Sequence, residues 1–97
     1  MVRKIKLMTD YYCYPLWETL DSQLYNINPE DLDISNDLKI EILNWAKKYD
    51  NTLNFDYPVL SWFKTHKEEV NFIKQWKELA YKLQFELWNN FIIKLKI

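Results

Sequence analysis

The chain closes on Phe91-Ile92-Ile93-Lys94-Leu95-Lys96-Ile97, in which Ile93, Leu95 and Ile97 alternate with Lys94 and Lys96. That alternation is the period of a strand with one dry and one wet face. The opening stretch, Val2-Arg3-Lys4-Ile5-Lys6-Leu7-Met8, repeats the design over Lys4 to Leu7. Two such strands satisfy each other side by side in a small sheet, with helices over the shared aliphatic face. Lysines on the open face then also discourage edge-to-edge aggregation.

Two helices are available as that cover. Thr65-x-x-Glu68 matches a capping box ahead of a periodic segment of about residues 66 to 88. Val70, Ile73, Trp76, Ala80, Leu83 and Leu87 mark one stripe of it. Phe72, Leu79 and Phe85 widen the apolar surface, which predicts cover on more than one side, and Asn89-Asn90 is expected to end the helix. The other helix starts at Ser35, a good N-cap, with Asn36 and Asp37 in its first turn. Leu38, Ile42, Trp45, Ala46 and Tyr49 share one face, and Asp50-Asn51 should stop it. Residues 51 to 64 read as a connection, extended at Tyr57-Pro58.

Between the first strand and this helix lies the dense run Tyr11-Tyr12-Cys13-Tyr14-Pro15-Leu16-Trp17. Pro15 argues against a central strand, so an irregular or edge segment is expected. Leu24-Tyr25-Asn26-Ile27 reads as another short strand, and Asn28-Pro29-Glu30-Asp31 as a capped single turn. The 97 residues form one α+β domain: a small sheet including the N- and C-terminal strands, packed against two α-helices.

Composition removes whole classes of function. The chain has no glycine, against an average of about 7%. Phosphate-cradling loops and the nucleophile elbow, which need glycine for close approach or positive φ, are therefore absent. Tight turns must use Asn and Asp, and Asp50-Asn51, Asn54 and Asn89-Asn90 are the candidates for left-handed backbone. One cysteine, Cys13, agrees with a reducing compartment. One cysteine and one histidine, His66, cannot build a familiar zinc site, and no metal or cofactor is expected. The N-terminal stretch lacks the apolar core of a signal peptide, and no run approaches the roughly 18 apolar residues of a membrane span. A cytoplasmic address is the expectation.

The net charge of −1 conceals a strong asymmetry. Residues 10 to 37 carry Asp10, Glu18, Asp21, Glu30, Asp31, Asp33 and Asp37 with no base, interleaved with Tyr11, Tyr12, Tyr14, Trp17 and Tyr25. The bland account makes the acids solvated and the aromatics core. In the functional one the segment is a recognition surface for a basic partner, since Tyr and Trp anchor hot spots while complementary charge speeds encounter. The same segment would repel a nucleic-acid backbone, and a single arginine is poor equipment for binding one.

Catalytic readings are weaker. Cys13 would need a base and an electropositive setting; His66 could serve only if the fold brought it near. Paired carboxylates exist in Glu30 with Asp31 and Asp33, and in Glu68 with Glu69, but helix starts attract acids for dipole reasons alone. On the long helix Lys67, Lys74, Lys77 and Lys82 are mixed with Glu69, Glu78 and Glu86, unlike a cation-rich membrane-surface helix.

The runs Lys4-Ile5-Lys6-Leu7-Met8-x-Asp10-Tyr11-x-Cys13-Tyr14-Pro15-Leu16-Trp17-Glu18 and Asn26-Ile27-Asn28-Pro29-Glu30-Asp31-Leu32-x-Ile34-Ser35 resemble a group of small bacterial proteins of this length. Trp45-Ala46-x-x-Tyr49-Asp50-x-Thr52-Leu53-Asn54 resembles the same group. The resemblance covers residues 4 to about 56; farther on, Ser61-Trp62-Phe63 stands where a small residue or glycine is expected. Proteins of this style include immunity proteins that neutralise the C-terminal toxin of a contact-dependent growth inhibition system. The resemblance implies a stoichiometric inhibitor with no turnover, bound to a basic toxin domain such as a nuclease. The residues expected to bind it are Asp10, Tyr12, Tyr14, Trp17, Glu18, Glu30, Asp31 and Asp33. The alternatives are a small hydrolase or transferase using Cys13 or a carboxylate pair, and an adaptor that homodimerises through a strand edge or spare aromatic surface on the long helix.

Overall fold

The computed structural model describes residues 3–54, 62–88 and 91–95. Expectations at Val2, across residues 55–61 (Tyr57-Pro58 and Ser61 included), at Asn89-Asn90 and at Lys96-Ile97 lie outside the described residues. The elements are β1 (Arg3–Leu7), β2 (Leu16–Leu20), β3 (Gln23–Ile27), a 3₁₀ turn (Pro29–Asp31), α1 (Asn36–Asp50), α2 (His66–Leu87) and β4 (Phe91–Leu95). They form the expected α+β fold.

The four strands make one sheet in the order β3-β2-β1-β4. The terminal strands pair as their patterns require: β4 runs parallel to β1, with Ile5 opposite Ile93 and Leu7 opposite Leu95. Ile5 and Leu7 are buried, whereas Lys4 is exposed on the other face. Strand β2 lies antiparallel to β1, with Leu7 opposite Leu16, and β3 antiparallel to β2, with Leu16 opposite Ile27. Leu7, Leu16 and Ile27 thus make one aliphatic rung beneath the helices.

Leu16–Leu20 corrects the expectation drawn from Pro15. It is an inner strand, paired on both sides, and only the loop before it is irregular. Pro15 stands just ahead of the first rung, where its missing N–H costs no ladder bond, and its carbonyl accepts from the Met8 N–H at 2.9 Å. The β2–β3 turn corrects a second expectation. Asp21 (φ 51°) and Ser22 (φ 65°) are both left-handed, the backbone of a two-residue hairpin turn. Asn51, by contrast, stays near the helix with φ −68°. Among the described residues the other positive-φ residues are Tyr12 and Trp88, and Asn54 is not one of them.

Both helices are capped where the sequence indicated. Ser35 accepts from the Leu38 N–H and Thr65 from the Glu68 N–H through their side chains. The buried face of α1 is Leu38, Ile42, Trp45 and Ala46. That of α2 is Phe72, Trp76, Leu79, Leu83 and Leu87, while Val70 and Phe85 are exposed. The stripe is therefore rotated from the expected one. Apolar residues ring much of this helix, and periodicity alone could not say which arc faces the core.

Helix α2 packs against both α1 and β4. Trp45 of α1 stacks on Phe72, ring centroids 4.7 Å apart, and its Nε1–H donates to the Phe72 carbonyl at 3.1 Å. The Nε1–H of Trp76 donates to the Leu7 carbonyl at 2.8 Å. Each buried indole thus places its one polar atom on a backbone acceptor, which removes the main cost of burying it.

Candidate functional site

The acidic segment is built into two groups of side chains. The first lies on the loop from Met8 to Pro15, docked against the C-terminal end of α1. Tyr11 stacks on Tyr49 with centroids 4.5 Å apart, and its hydroxyl meets the Thr52 hydroxyl at 2.8 Å. Burial, and then the neighbouring Tyr11, push the Tyr49 phenol pKa upward. Asp50 accepts the Tyr12 N–H at 2.9 Å, fixing the left-handed turn that exposes the Tyr12 side chain to 68%. Tyr14, also exposed, is held through its N–H by the Asn26 side chain at 3.0 Å. Asp10 is exposed and accepts the Tyr11 N–H.

The second group leads into the N-terminus of α1. Asn28 caps the 3₁₀ turn through the Glu30 N–H, and Pro29 is buried beneath it. The turn presents Glu30 and Asp31, with Asp33 beyond, and all three are exposed. Glu30 lies 3.4 Å from the Lys39 ammonium; Asp31 and Asp33 form no ion pair among the described residues. Asp37 in the first turn of α1 extends this acidic flank. The two groups occupy opposite ends of α1, whose 15 residues span roughly 22 Å at 1.5 Å each.

The structure places Trp17 and Glu18 elsewhere. Trp17 lies on the open sheet face, in register with Lys6 and Asn26, and its Nε1–H donates to the Met8 carbonyl at 3.0 Å. Glu18 accepts from the Arg3 Nε and Nη2 at 2.6 and 2.8 Å, and Arg3 also sits over the Phe91 ring at 4.9 Å. The guanidinium hydrogen bond holds the Glu18 carboxyl below its ordinary pKa. Sequence reasoning missed the supports: Asp50, read as a helix stop, and Asn26, read as a strand residue, position Tyr12 and Tyr14. Their polar side chains beside an aromatic loop were the available signal.

The catalytic candidates find no matching environment. Desolvation, and then the carboxylates of Asp10 and Asp50, push the Cys13 thiol up, the reverse of what an activated thiolate requires. His66 is exposed at the first turn of α2, 3.9 Å from Glu69. A cleft of about 860 Å³ opens between the end of α1 and the start of α2, and Lys48, Asn54, Trp62, Lys64 and Asn71 line it. Neither Cys13 nor His66 lies among the residues lining it. Among the described residues no three His, Cys, Asp or Glu side chains converge as metal ligands would. No helix among them is long and apolar enough to cross a membrane.

Fold and surface together define a small α+β protein whose described residues expose carboxylates and aromatic rings on the outer surface. Residues 3–95 match the model of the Serratia CdiI immunity protein-like family, and the chain belongs to that family. The match runs through α2 and β4, well beyond residue 56, where the resemblance in the sequence stops. Membership carries an immunity role in contact-dependent growth inhibition. No curated protein matches the chain.

Proposed function

We propose that this protein is a stoichiometric inhibitor that acts without turnover, in the cytoplasm, by binding a basic toxin domain of the nuclease class. The observation that carries the reading is the fate of the acidic segment in an immunity-family fold. Six of its seven carboxylates, Asp10, Asp21, Glu30, Asp31, Asp33 and Asp37, remain exposed, with Tyr12 and Tyr14 exposed beside them. Carboxylates kept in water, beside aromatics that forgo burial, match a cationic phosphate-binding cleft in charge and supply the anchors to fill it. Asp10, Tyr12 and Tyr14 would engage one end of the toxin face, and Glu30, Asp31 and Asp33 the other. An interface of standard size, about 800 Å² per partner, is wide enough to span both ends of α1. Trp17 and Glu18 contribute by stiffening the sheet beneath the loop.

Calorimetric titration of the cognate toxin domain tests this. The double variant Asp31→Lys, Asp33→Lys should bind at least tenfold more weakly, with a flatter salt dependence and an unchanged melting temperature. Equal affinity would remove the acidic face from the account. Cys13→Ala should protect toxin-expressing cells as well as the parent does, and loss of protection would restore the cysteine-enzyme reading.

A further inference from the structure

The outer face of α2 carries a second surface that the acidic segment does not share. Tyr81, Phe85 and Trp88 are exposed to 75%, 70% and 66%, although each is a residue that gains by leaving water. They follow one another at helical spacing, and Val70, Lys74 and Lys77, all exposed, continue the same line toward the N-terminus. At 100° per residue the five that lie within α2 fall in an arc of about 80°, directed away from the buried stripe of Phe72, Trp76, Leu79, Leu83 and Leu87, and Trp88 is the C-cap that follows at φ 42°. The C-terminal half of the stripe is aromatic. Its N-terminal half is cationic, with one aliphatic residue.

That division is self-complementary. An antiparallel copy of α2, related by a two-fold axis level with residue 79, sets Val70 opposite Trp88, Lys74 opposite Phe85 and Lys77 opposite Tyr81. Symmetry forms each pairing twice. Every aromatic ring then meets either an aliphatic side chain or an ammonium on a four-carbon stem, the partners it prefers. Three aromatics that each bury roughly 150 to 250 Å² supply more than half of the about 800 Å² per partner of a standard interface. Val70 and the lysine stems add to that area.

We infer that the outer face of α2 is a homodimer interface in which two copies pack α2 against α2 in antiparallel fashion. None of Asp10, Tyr12, Tyr14, Glu30, Asp31 or Asp33 lies on this face, so the dimer leaves both acidic surfaces free and would bind two toxin domains. The inference stands independently of the proposed toxin contact.

Light scattering during size exclusion, run at increasing protein concentration, should show a mass moving from that of the 12.0 kDa chain to twice it. Phe85→Glu should raise the dimer dissociation constant more than about tenfold, as truncating an interface anchor does, with an unchanged circular dichroism spectrum. In a Cys13→Ser background, Glu78→Cys lies beside the axis and should cross-link to its symmetry mate through a short bis-maleimide. Lys67→Cys, far from its mate, should not. A chain that stays monomeric at the highest concentration overturns the inference, as does a dimer that survives Phe85→Glu or cross-links only through Lys67→Cys. A monomer whose Phe85→Glu variant loses toxin binding would also overturn it, and would assign this face to the toxin.

Discussion

All four strands are five residues long, yet the β1–β4 pair and the β2–β3 hairpin are held in different ways. In the first pair Ile5 and Leu7 are fully buried, and Trp76 ties α2 to the Leu7 carbonyl. Its outer edge is also closed. The Gln84 side chain donates to the Phe91 carbonyl at 2.8 Å and accepts the Ile93 N–H at 3.0 Å, as a neighbouring peptide would. In the hairpin only Leu16 and Ile27 reach the core, and Leu20, Gln23, Leu24 and Tyr25 rise to the surface. What holds it is its own ladder, the Asp21-Ser22 turn, and the Asn26 amide on the carbonyls of Tyr14 and Leu16. The outer edge of β3 has no clasp of the Gln84 kind among the described residues. One sheet therefore divides into a half that supplies stability and a half that supplies surface, and sheet edges left open are ones a protein must otherwise protect.

Removing the Gln84 clasp should have the largest effect of the changes that test this division. Gln84→Ala deletes both bonds to β4 and a longer one to the Trp88 carbonyl, and leaves the Ile93 N–H and the Phe91 carbonyl half-buried without that partner, at a cost of about 1–3 kcal/mol. Gln23→Ala, which deletes only the contact with the Tyr25 hydroxyl on the exposed hairpin, should stay within about 0.5 kcal/mol. Urea denaturation of both variants measures the contrast. Hydrogen exchange should show the Ile93 amide losing protection in the first variant alone. Equal costs at the two sites would mean that the halves are held alike.

The division was only partly legible in the sequence. The terminal strands announced themselves because lysine and aliphatic residues alternate there, and only a half-buried strand needs that pattern. The caps Ser35 and Thr65 were legible because their chemistry is local. Inner strand β2 was not, since Pro15 was weighed against the whole run although it excludes only its own position from the ladder. The buried arc of α2 was ambiguous because Val70 and Phe85 are as apolar as Phe72 and Leu79, and only tertiary packing selects between them. Of the candidate site, the exposure of Asp31 and Asp33 was expected from their charge, whereas composition left Tyr12 open between core and surface. The capture of Glu18 by Arg3 did not, because it depends on strand register.

That ion pair joins the two halves, and its pH dependence is the next effect in size. Arg3 holds the folded-state pKa of Glu18 below its unfolded value of about 4.3, so its contribution is fully present above that pH. It is lost as pH falls through the lower, folded-state value. Arg3 is well exposed, which limits the pair to about 1 kcal/mol. Glu18→Gln should therefore be less stable than the parent at neutral pH, and the two thermal denaturation curves should converge once the pH falls below the folded-state value. A gap that persisted in acid would mean that Glu18 supports β2 by packing and not through its charge.

The smallest expected effect has the opposite sign. A non-glycine residue in the left-handed region pays a steric cost of roughly 1 kcal/mol, and Ser22 sits there at φ 65° as the second central residue of the hairpin turn. Asp-Gly is the favoured pair for such a turn, because both central residues need positive φ. Ser22→Gly should therefore stabilise the protein by about 0.5 kcal/mol, the part of the relief left after glycine's greater freedom in the unfolded chain is subtracted. Asn51→Gly is the control. Asn51 has φ −68°, so glycine relieves nothing there and should lower stability. A gain at Ser22 with a loss at Asn51 would locate the strain in the surface half of the sheet. A gain at Asn51 with none at Ser22 would place it at the end of α1, where the absence of glycine first pointed.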